Sequence, residues 1–221
     1  MRAVLLDALG TLVRLEPPAP RLREELRRLT GIDVGAETAE RAFRAEISYY
    51  LEHHLEGRDD SSLDSLRDRC ALVVREALGP GAPDLQTVRS AMLGSLEFTP
   101  FPDAEPALRD LRNRGKRVVV ASNWDCSLPE VLDRAGLGGL VDGVVSSAVA
   151  GRAKPAPDVF LEALRVAGTE PADAMHVGDS VENDVEGARA AGIRAVLVAR
   201  NGDPPAGVTA VRSLEEVAAL T

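Results

Sequence analysis

The chain has 221 residues, which suits one medium-sized domain or a core domain that carries an inserted smaller one. Residues classed as hydrophobic make up 45%, and 35 acidic against 26 basic residues give a formal net charge of −9. Nucleic acids and anionic membranes are bound through basic faces, so this charge argues against both as partners. A small anionic substrate stays compatible with it, because a few local cations can invert the field at one site.

The cysteine content and the N-terminus predict a cytoplasmic protein. Only two cysteines, Cys70 and Cys126, are present, which is too few for a disulfide framework. The first residues show no secretory-signal pattern, and no apolar run approaches the length of a membrane helix. The oligomeric state is left open by the sequence.

The first apolar run, residues 4–6, predicts a strand that ends at Asp7. The following region, about 19–96, contains no convincing strand and shows helical periodicity instead. Proline-rich stretches at 17–20 and 100–102 bracket this region, and we predict that they are linkers. The helices expected in the region are 21–29, 37–55, 62–78 and 85–96.

Beyond residue 98, short apolar runs alternate with helical patterns. Such alternation is typical of a doubly wound α/β sheet whose parallel strands are apolar on both faces. The predicted strands are 117–121, 141–145, 174–177 and 194–198, and the predicted helices are 105–114, 128–135, 157–167 and 181–191. Glycines stand where helix C-caps belong, at Gly115, Gly136, Gly168 and Gly192. We therefore predict an α/β core domain, 1–16 and 98–221, with an inserted all-helical domain, 17–97.

Polar, reactive side chains follow four of the predicted strands. Asp7 follows the first and Ser122 the second, Lys154 lies on the loop after the third, and Asp179 follows the fourth, with Asp184 slightly further on. Each residue by itself is also explained as a turn or a helix cap. In doubly wound sheets, however, ligands bind at the carboxyl ends of the strands. Together, in this order, the five residues predict one functional site.

The residue types predict the chemistry of that site. Asp7, Asp179 and Asp184 would form a carboxylate cluster that repels itself and favours a hard divalent cation such as Mg²⁺. Lys154 adds a fixed positive charge, and Ser122 offers a hydroxyl to an anionic oxygen. Asp7 can then act as a nucleophile, because the metal and the lysine neutralise charge on the group that it attacks.

In these motifs the sequence resembles the haloacid dehalogenase (HAD) superfamily. The resemblance rests on Asp-Ala-Leu-Gly-Thr at 7–11, Ser122-Asn123, Lys154-Pro155 and the run from Gly178 to Asp184. It covers nearly the whole chain and implies a Rossmann-like core, with the helical insert acting as a cap that closes over the site and selects the substrate.

The resemblance also implies roles for individual residues. Asp7 would form a covalent aspartyl intermediate, while Ser122 and Lys154 hold the anionic group. The Mg²⁺ ligands would be Asp7, Asp179, Asp184 and the backbone carbonyl of Leu9. Residues expected to support or contact the substrate are Thr11, Asn123 and, on the cap, Arg44.

One position departs from the pattern of the family's phosphatases. They carry a second Asp two residues after the nucleophile, and this Asp protonates the leaving group and later activates water. Here the position is Leu9, which does neither. General acid–base catalysis is worth about 10²–10⁴-fold, so we expect slow turnover of ordinary phosphate esters.

Several explanations of Leu9 stay open. A cap side chain, among Tyr49, Tyr50, His53 and His54, would replace the lost acid/base, although ordinary helix packing explains these four as well. Alternatively, the protein is a 2-haloacid dehalogenase, because halide leaves without a proton and Asn123, Trp124 and Arg44 could hold it. Against this, such enzymes work without metal, whereas Asp179 and Asp184 indicate one.

Phosphonate cleavage of the kind known in this superfamily is rejected. It needs a cap lysine, and both lysines, Lys116 and Lys154, lie outside the insert. A protein that binds a phosphorylated ligand or a partner without turnover is the non-enzymatic alternative. His176, inside a predicted buried strand, is expected to be a satisfied core histidine and not a ligand.

Taken together, the motifs and the carboxylate cluster predict a Mg²⁺-dependent phosphatase acting on a small phosphorylated molecule.

Overall fold

The computed structural model describes all 221 residues, Met1–Thr221, and they form two compact units. We call Met1–Arg14 together with Thr99–Thr221 the core unit, and Leu15–Phe98 the helical unit. These limits lie within two residues of the predicted domain boundaries. No helix combines the length and the apolar character that crossing a membrane requires.

The core unit is built on a six-stranded parallel sheet with the strand order β5-β4-β1-β6-β7-β8. Its strands are β1 Ala3–Leu6, β4 Arg117–Ser122, β5 Gly143–Ser146, β6 Ala174–Gly178, β7 Arg194–Val198 and β8 Ala210–Val211. Strand β1 lies between β4 and β6, and its Leu5 pairs with Val119 on one side and with His176 on the other. The predicted doubly wound parallel sheet is confirmed.

Helices flank this sheet and end largely where the glycines predict. They are α5 Ala104–Asn113, α6 Leu128–Arg134, α7 Ser147–Ala150, α8 Asp158–Ala167 and α9 Gly187–Ala190, and a 3₁₀ segment, Leu214–Leu220, closes the chain. All four predicted capping glycines have positive φ, between 64° and 75°. Leu5, Val119 and Phe160 of α8 belong to one buried apolar cluster on a face of the sheet.

The predicted helix at 181–191 is only partly correct. Residues Val181–Glu186 form a π-helical turn, and regular α-helix begins at Gly187. The wider turn accompanies side-chain bonds of Asp184 to residues outside the segment, and hydrophobic periodicity carries no information about such bonds. A Cβ atom at Gly187 would lie 2.9 Å from the Phe160 ring, so this start of α9 packs too closely for a larger residue.

The helical unit contains four helices around its own apolar cluster, to which Leu22, Phe43, Leu66 and Met92 belong. They are α1 Pro18–Thr30, α2 Ala36–His53, α3 Asp60–Leu78 and α4 Leu85–Ser95. The prediction of a linker at 17–20 is wrong, because α1 already begins at Pro18. Proline is tolerated in a first helical turn, where its missing N–H has no intrahelical partner to lose.

Two short strands that the sequence did not predict stand where the chain passes between the units. They are β2 Val13–Leu15 and β3 Phe98–Pro100, which pair with each other in a separate two-stranded sheet. Three residues are too few for a recognisable alternation of polar and apolar side chains. The short strand β8 was missed for the same reason.

An acidic side chain is buried inside the helical unit. Glu46 of α2 is 5% exposed, and burial raises its pKa from 4.5 to about 7, although a hydrogen bond with the thiol of Cys70 partly opposes the shift. Below pH 4.5 the carboxyl is protonated in both the folded and the unfolded chain. Between pH 4.5 and about 7 the unfolded chain loses this proton and the folded chain keeps it, so the stability of the folded state falls as the pH rises.

We predict that Glu46→Gln stabilises the protein at alkaline pH. A pKa difference of about 2.5 units corresponds to about 3 kcal/mol of unfolding free energy above pH 7, and this penalty vanishes towards pH 4.5. Urea unfolding at pH 8.5 and at pH 4.5 measures the difference. Glu52→Gln, an exposed position on the same helix, is the matched control. An equal effect of Glu46→Gln at both pH values would contradict the prediction.

One arginine joins three distant parts of the core unit. Arg200, in the loop after β7, donates two hydrogen bonds to the carboxylate of Asp103, at 2.8 and 3.0 Å, and one to the carbonyl of Thr11, at 2.7 Å. Its guanidinium stacks on the ring of Phe101 at 3.9 Å from the centroid. Asp103 also accepts the backbone N–H of Leu214, so the pair ties the C-terminal segment to the loop after β1.

We predict that Arg200→Lys destabilises the protein by about 2–3 kcal/mol, because lysine keeps the charge but not the forked, stacked geometry. The same change at Arg189, an exposed position with a single bond to a backbone carbonyl, is the control and should change stability by less than about 1 kcal/mol. Chemical unfolding of both variants measures the difference. Equal stability losses would show that the fork contributes nothing.

Candidate active site

The candidate site lies at the carboxyl edge of the central strands. Asp7 directly follows β1, Ser122 is the last residue of β4, and Asp179 directly follows β6. Because β4 and β6 both pair in parallel with β1, with Leu6 opposite residues 120 and 177, these three chain positions come side by side. The strand order therefore brings together three residues that lie far apart in the sequence.

The side chain of Lys154 is the centre of the site. Its ammonium nitrogen lies 2.6 Å from Asp7 Oδ1, 2.6 Å from Asp184 Oδ1 and 3.0 Å from the carbonyl oxygen of Ala121. These three acceptors use all three protons of the ammonium group. Burial by itself would lower the pKa of Lys154, but the carboxylates of Asp7 and Asp184 outweigh it and raise this pKa above its usual value.

Asn123 fixes the backbone of Lys154. Its amide donates to the carbonyl of Lys154 at 3.0 Å and accepts the N–H of Lys154 at 2.7 Å. The side-chain amide of Asn123 thus makes two hydrogen bonds to the protein, and its expected contact with the substrate stays a prediction. These two hydrogen bonds, between residues 31 positions apart, hold the loop that carries Lys154 against the end of β4.

The candidate nucleophile is oriented through one oxygen. Asp7 Oδ1 accepts the Ser122 hydroxyl at 2.8 Å as well as the Lys154 ammonium. The protein donates no hydrogen bond to the other oxygen, Oδ2, so that oxygen is the one available to attack. Burial and the nearby Asp184 raise the pKa of Asp7, and Lys154 and Ser122 oppose that shift.

His176 is the site residue that the sequence did not reveal. It is fully buried on β6, and its Nε2 lies 2.8 Å from Asp184 Oδ1. Burial lowers its pKa, so the ring is neutral and Nε2 carries the proton, since a carboxylate only accepts. Its Nδ1 is buried with no hydrogen-bond partner. The predicted burial in the core is confirmed, but the ring is only half satisfied, and it has a role that was not predicted, because it positions Asp184. Its place two residues before the Gly178-Asp179 pair was the available signal.

Asp184 is held on both sides. Besides Lys154 and His176, which share Oδ1, the backbone N–H of Ser180 donates to Oδ2 at 3.0 Å. Burial opposes ionisation, yet Lys154 and His176 hold the pKa of Asp184 well below its usual range. The side chain is thus ionised and immobilised at 2% exposure.

The cluster carries more negative charge than the protein neutralises. Oxygen atoms of Asp7, Asp179 and Asp184 lie within 4.8 Å of one another, and Lys154 is the one cation bonded to them. Partial withdrawal from solvent, then repulsion from Asp7 and Asp184, raise the pKa of Asp179 to about 6, although its side chain is exposed. Three clustered carboxylates with a net charge of −2 when ionised fit a hard divalent cation.

Two glycines allow these carboxylates to approach the backbone. A Cβ atom at Gly10, where φ is +84°, would lie 2.1 Å from Asp179 Oδ2, and one at Gly178 would lie 2.2 Å from Asp184 Cγ. Any larger residue would displace the carboxylate. Gly10 and Gly178 are therefore structural requirements of the site that the motif alone did not explain.

The remaining predicted residues differ in their placement. Thr11 is fully buried, its hydroxyl has no hydrogen-bond partner, and its carbonyl accepts a hydrogen bond from Arg200, so its expected support of the substrate stays a prediction. Leu9 is 43% exposed beside the nucleophile, and metal binding by its carbonyl stays a prediction. Arg44 has an exposed side chain on α2 of the helical unit, so its substrate contact also stays a prediction.

The cap histidines have partners within the helical unit. His54 is buried and its Nδ1 lies 2.9 Å from the carbonyl of Leu51, while His53 Nδ1 lies 2.8 Å from Glu56. Tyr49 stacks on His53 with ring centroids 4.2 Å apart. These contacts are those of ordinary helix packing.

The chain is similar in sequence or in fold to several known proteins. Human haloacid dehalogenase-like hydrolase domain-containing protein 3 is 32% identical over 206 residues, which cover 90% of this chain and 82% of that protein. Phosphoserine phosphatase of Thermus thermophilus is 33% identical over 230 residues, covering 92% and 91%. L-2-haloacid dehalogenase of Xanthobacter autotrophicus superposes with a TM-score of 0.71 over 100% of this chain and 98% of that one, at 21% identity, a level that shows the fold alone.

The family model of haloacid dehalogenase-like hydrolases matches residues 1–192, a range that contains every side chain of the Lys154 cluster. With the sheet order, the site geometry and these relatives in agreement, the chain is a hydrolase that belongs to the haloacid dehalogenase-like family.

Proposed function

We propose that this protein is a Mg²⁺-dependent phosphatase that acts on a small phosphorylated molecule through an aspartyl intermediate on Asp7. The observation that carries the proposal is the Lys154 ammonium bridging Asp7 and Asp184, with Asp179 completing a carboxylate cluster. A phosphoserine phosphatase that is 33% identical over nearly its whole length supports a phosphate ester as substrate.

Each residue of the site has a separate role in the proposed reaction. Ser122 and Lys154 orient the Asp7 carboxylate, so that Oδ2 faces the phosphorus, and the lysine supplies positive charge beside the attacking group. Mg²⁺, held by Asp7, Asp179 and Asp184 and by the Leu9 carbonyl, would neutralise charge on the phosphoryl oxygens. His176 and the Ser180 N–H keep Asp184 in place.

A 2-haloacid dehalogenase is the second candidate, and the exposed apolar Leu9 beside the nucleophile favours it. Such a reaction needs neither a proton donor nor a metal. The crowded third carboxylate, Asp179, argues for the phosphatase, because without a cation it only adds repulsion to the site. A protein that binds a phosphorylated ligand without turnover would keep the same cluster.

We predict that Asp179→Asn stabilises the metal-free protein and removes its response to Mg²⁺. The change removes the repulsion of Asp179 by Asp7 and Asp184. Because the Asp179 side chain is exposed and solvent screens it, we expect a gain of about 1 kcal/mol in unfolding free energy, or about 2–4 °C in melting temperature, in the presence of chelator. Mg²⁺ should raise the melting temperature of the parent protein but not of the variant. Glu182→Gln, an exposed neighbour, serves as control. An unchanged Mg²⁺ response in Asp179→Asn would exclude this residue as a ligand.

We predict Mg²⁺-dependent release of p-nitrophenol from p-nitrophenyl phosphate. Chelator should abolish the reaction, and Asp7→Asn should reduce kcat by at least about 10³-fold, because the nucleophile is lost. Halide release from 2-chloropropionate is measured in parallel. Halide release without phosphate release would replace the phosphatase by the dehalogenase, and the absence of both reactions would leave the binding protein.

A further inference from the structure

The proton donors that surround Asp7, namely Lys154, Ser122 and His176, are engaged in hydrogen bonds within the site, and this constrains the substrate. We propose that this phosphatase, if it has the function proposed above, is selective for acyl phosphates, the mixed anhydrides of phosphoric and carboxylic acids, whose leaving group departs as a carboxylate and takes no proton. Simple alkyl phosphates, whose alkoxide leaving group requires a proton, would be poor substrates.

Lys154 and Ser122 have no proton to give. The lysine ammonium directs its three protons to Asp7, Asp184 and the Ala121 carbonyl, at 2.6, 2.6 and 3.0 Å, with the side chain 2% exposed. The Ser122 hydroxyl donates to Asp7 Oδ1. Transfer of either proton to a leaving group would break the bonds that orient the nucleophile.

The acidic and imidazole groups are equally engaged. Both oxygens of Asp184 accept N–H groups, Oδ1 from Lys154 and His176 and Oδ2 from Ser180, and these bonds are made to the ionised carboxylate, which has no proton to give. The single proton of His176 points at Asp184, and the ring is fully buried. Asp179 would be a ligand of the proposed cation, and a carboxylate that holds a cation donates no proton.

Leu9 occupies the exposed position beside the nucleophile. It lies two residues after Asp7 and is 43% exposed, and its aliphatic side chain can neither donate nor accept a proton. A positioned general acid is worth about 10²–10⁴-fold when the leaving group needs a proton, and almost nothing when it does not. An apolar contact beside an excess of negative charge also favours an uncharged acyl tail over a polyanionic leaving group such as a nucleotide.

The proposed reaction balances without an acid. Asp7 Oδ2 bonds to phosphorus, the bond from phosphorus to the acyl oxygen breaks, and its electron pair leaves with the carboxylate. Water then attacks the phosphorus of the aspartyl phosphate, and the electron pair of the broken bond returns to Asp7. The products are a carboxylate and inorganic phosphate, and the proton lost by water goes to solvent.

The test compares leaving groups in three proteins. The quantity is kcat/KM with Mg²⁺ for acetyl phosphate, p-nitrophenyl phosphate, phenyl phosphate and phosphoserine, whose leaving-group pKa rises from about 4 for a carboxyl through about 10 for a phenol to the higher value of an alcohol. The proteins are the parent, Leu9→Asp, which restores a carboxyl, and Leu9→Asn, which is its equal in size but carries no acidic proton.

We expect the ratio of kcat/KM for acetyl phosphate over phosphoserine to be at least 100-fold larger in the parent and in Leu9→Asn than in Leu9→Asp. If the parent hydrolyses the two substrates within tenfold of each other, a donor from elsewhere acts and the proposal is overturned, whereas the phosphatase function stands. If Asp7-dependent turnover is absent for every phosphate, the proposed function itself fails, and this inference fails with it. Because Leu9 is partly exposed, both polar replacements are compatible with the fold.

Discussion

The active site of this protein depends on one ammonium group shared between two carboxylates. Lys154 lies 2.6 Å from both Asp7 and Asp184, and all three side chains are almost completely buried. A buried charge without a partner is strongly destabilising, so the loops that carry these residues must meet for any of them to be accommodated. The same contact orients Asp7, the proposed nucleophile, and places a positive charge beside it.

The scaffold serves this contact at short range. Glycines at 10 and 178 let two carboxylates lie against the backbone, Asn123 holds the lysine loop by two hydrogen bonds, and His176 supports Asp184 from inside the sheet. Arg200 fixes the loop after Asp7 by donating a hydrogen bond to the carbonyl of Thr11. The site is therefore rigid on its core side, as electrostatic preorganisation requires.

The site is also unbalanced, and the imbalance relates to function. One lysine faces three carboxylates, which suits a divalent cation and a phosphoryl group. Every proton bonded within the cluster is used to hold the cluster together, and the neighbouring exposed position is a leucine. Under the proposed function, this combination of charge stabilisation with a missing acid suits leaving groups that are stable as anions.

The sequence by itself determined the strand–helix alternation, the parallel sheet, the insert of four helices and the set Asp7, Ser122, Lys154, Asp179 and Asp184. These follow from local periodicity and from the rule that strands of a parallel sheet end at one edge. The replacement of the usual acid/base Asp by Leu9 was also recognised from the sequence, because it depends only on which residue occupies a motif position.

The roles of the other residues follow from packing. Asn123 bonds the backbone of Lys154, and Arg200 bonds the carbonyl of Thr11, across long stretches of chain that carry no local signal. His176 bonds Asp184, which is near in sequence but lies on a different element. The π-helical turn at Val181–Glu186 accompanies the same long-range bonds of Asp184. Hydrogen bonds of this kind depend on distances between elements, which periodicity does not encode; residue patterns specify the elements, and packing specifies which side chains remain available for chemistry.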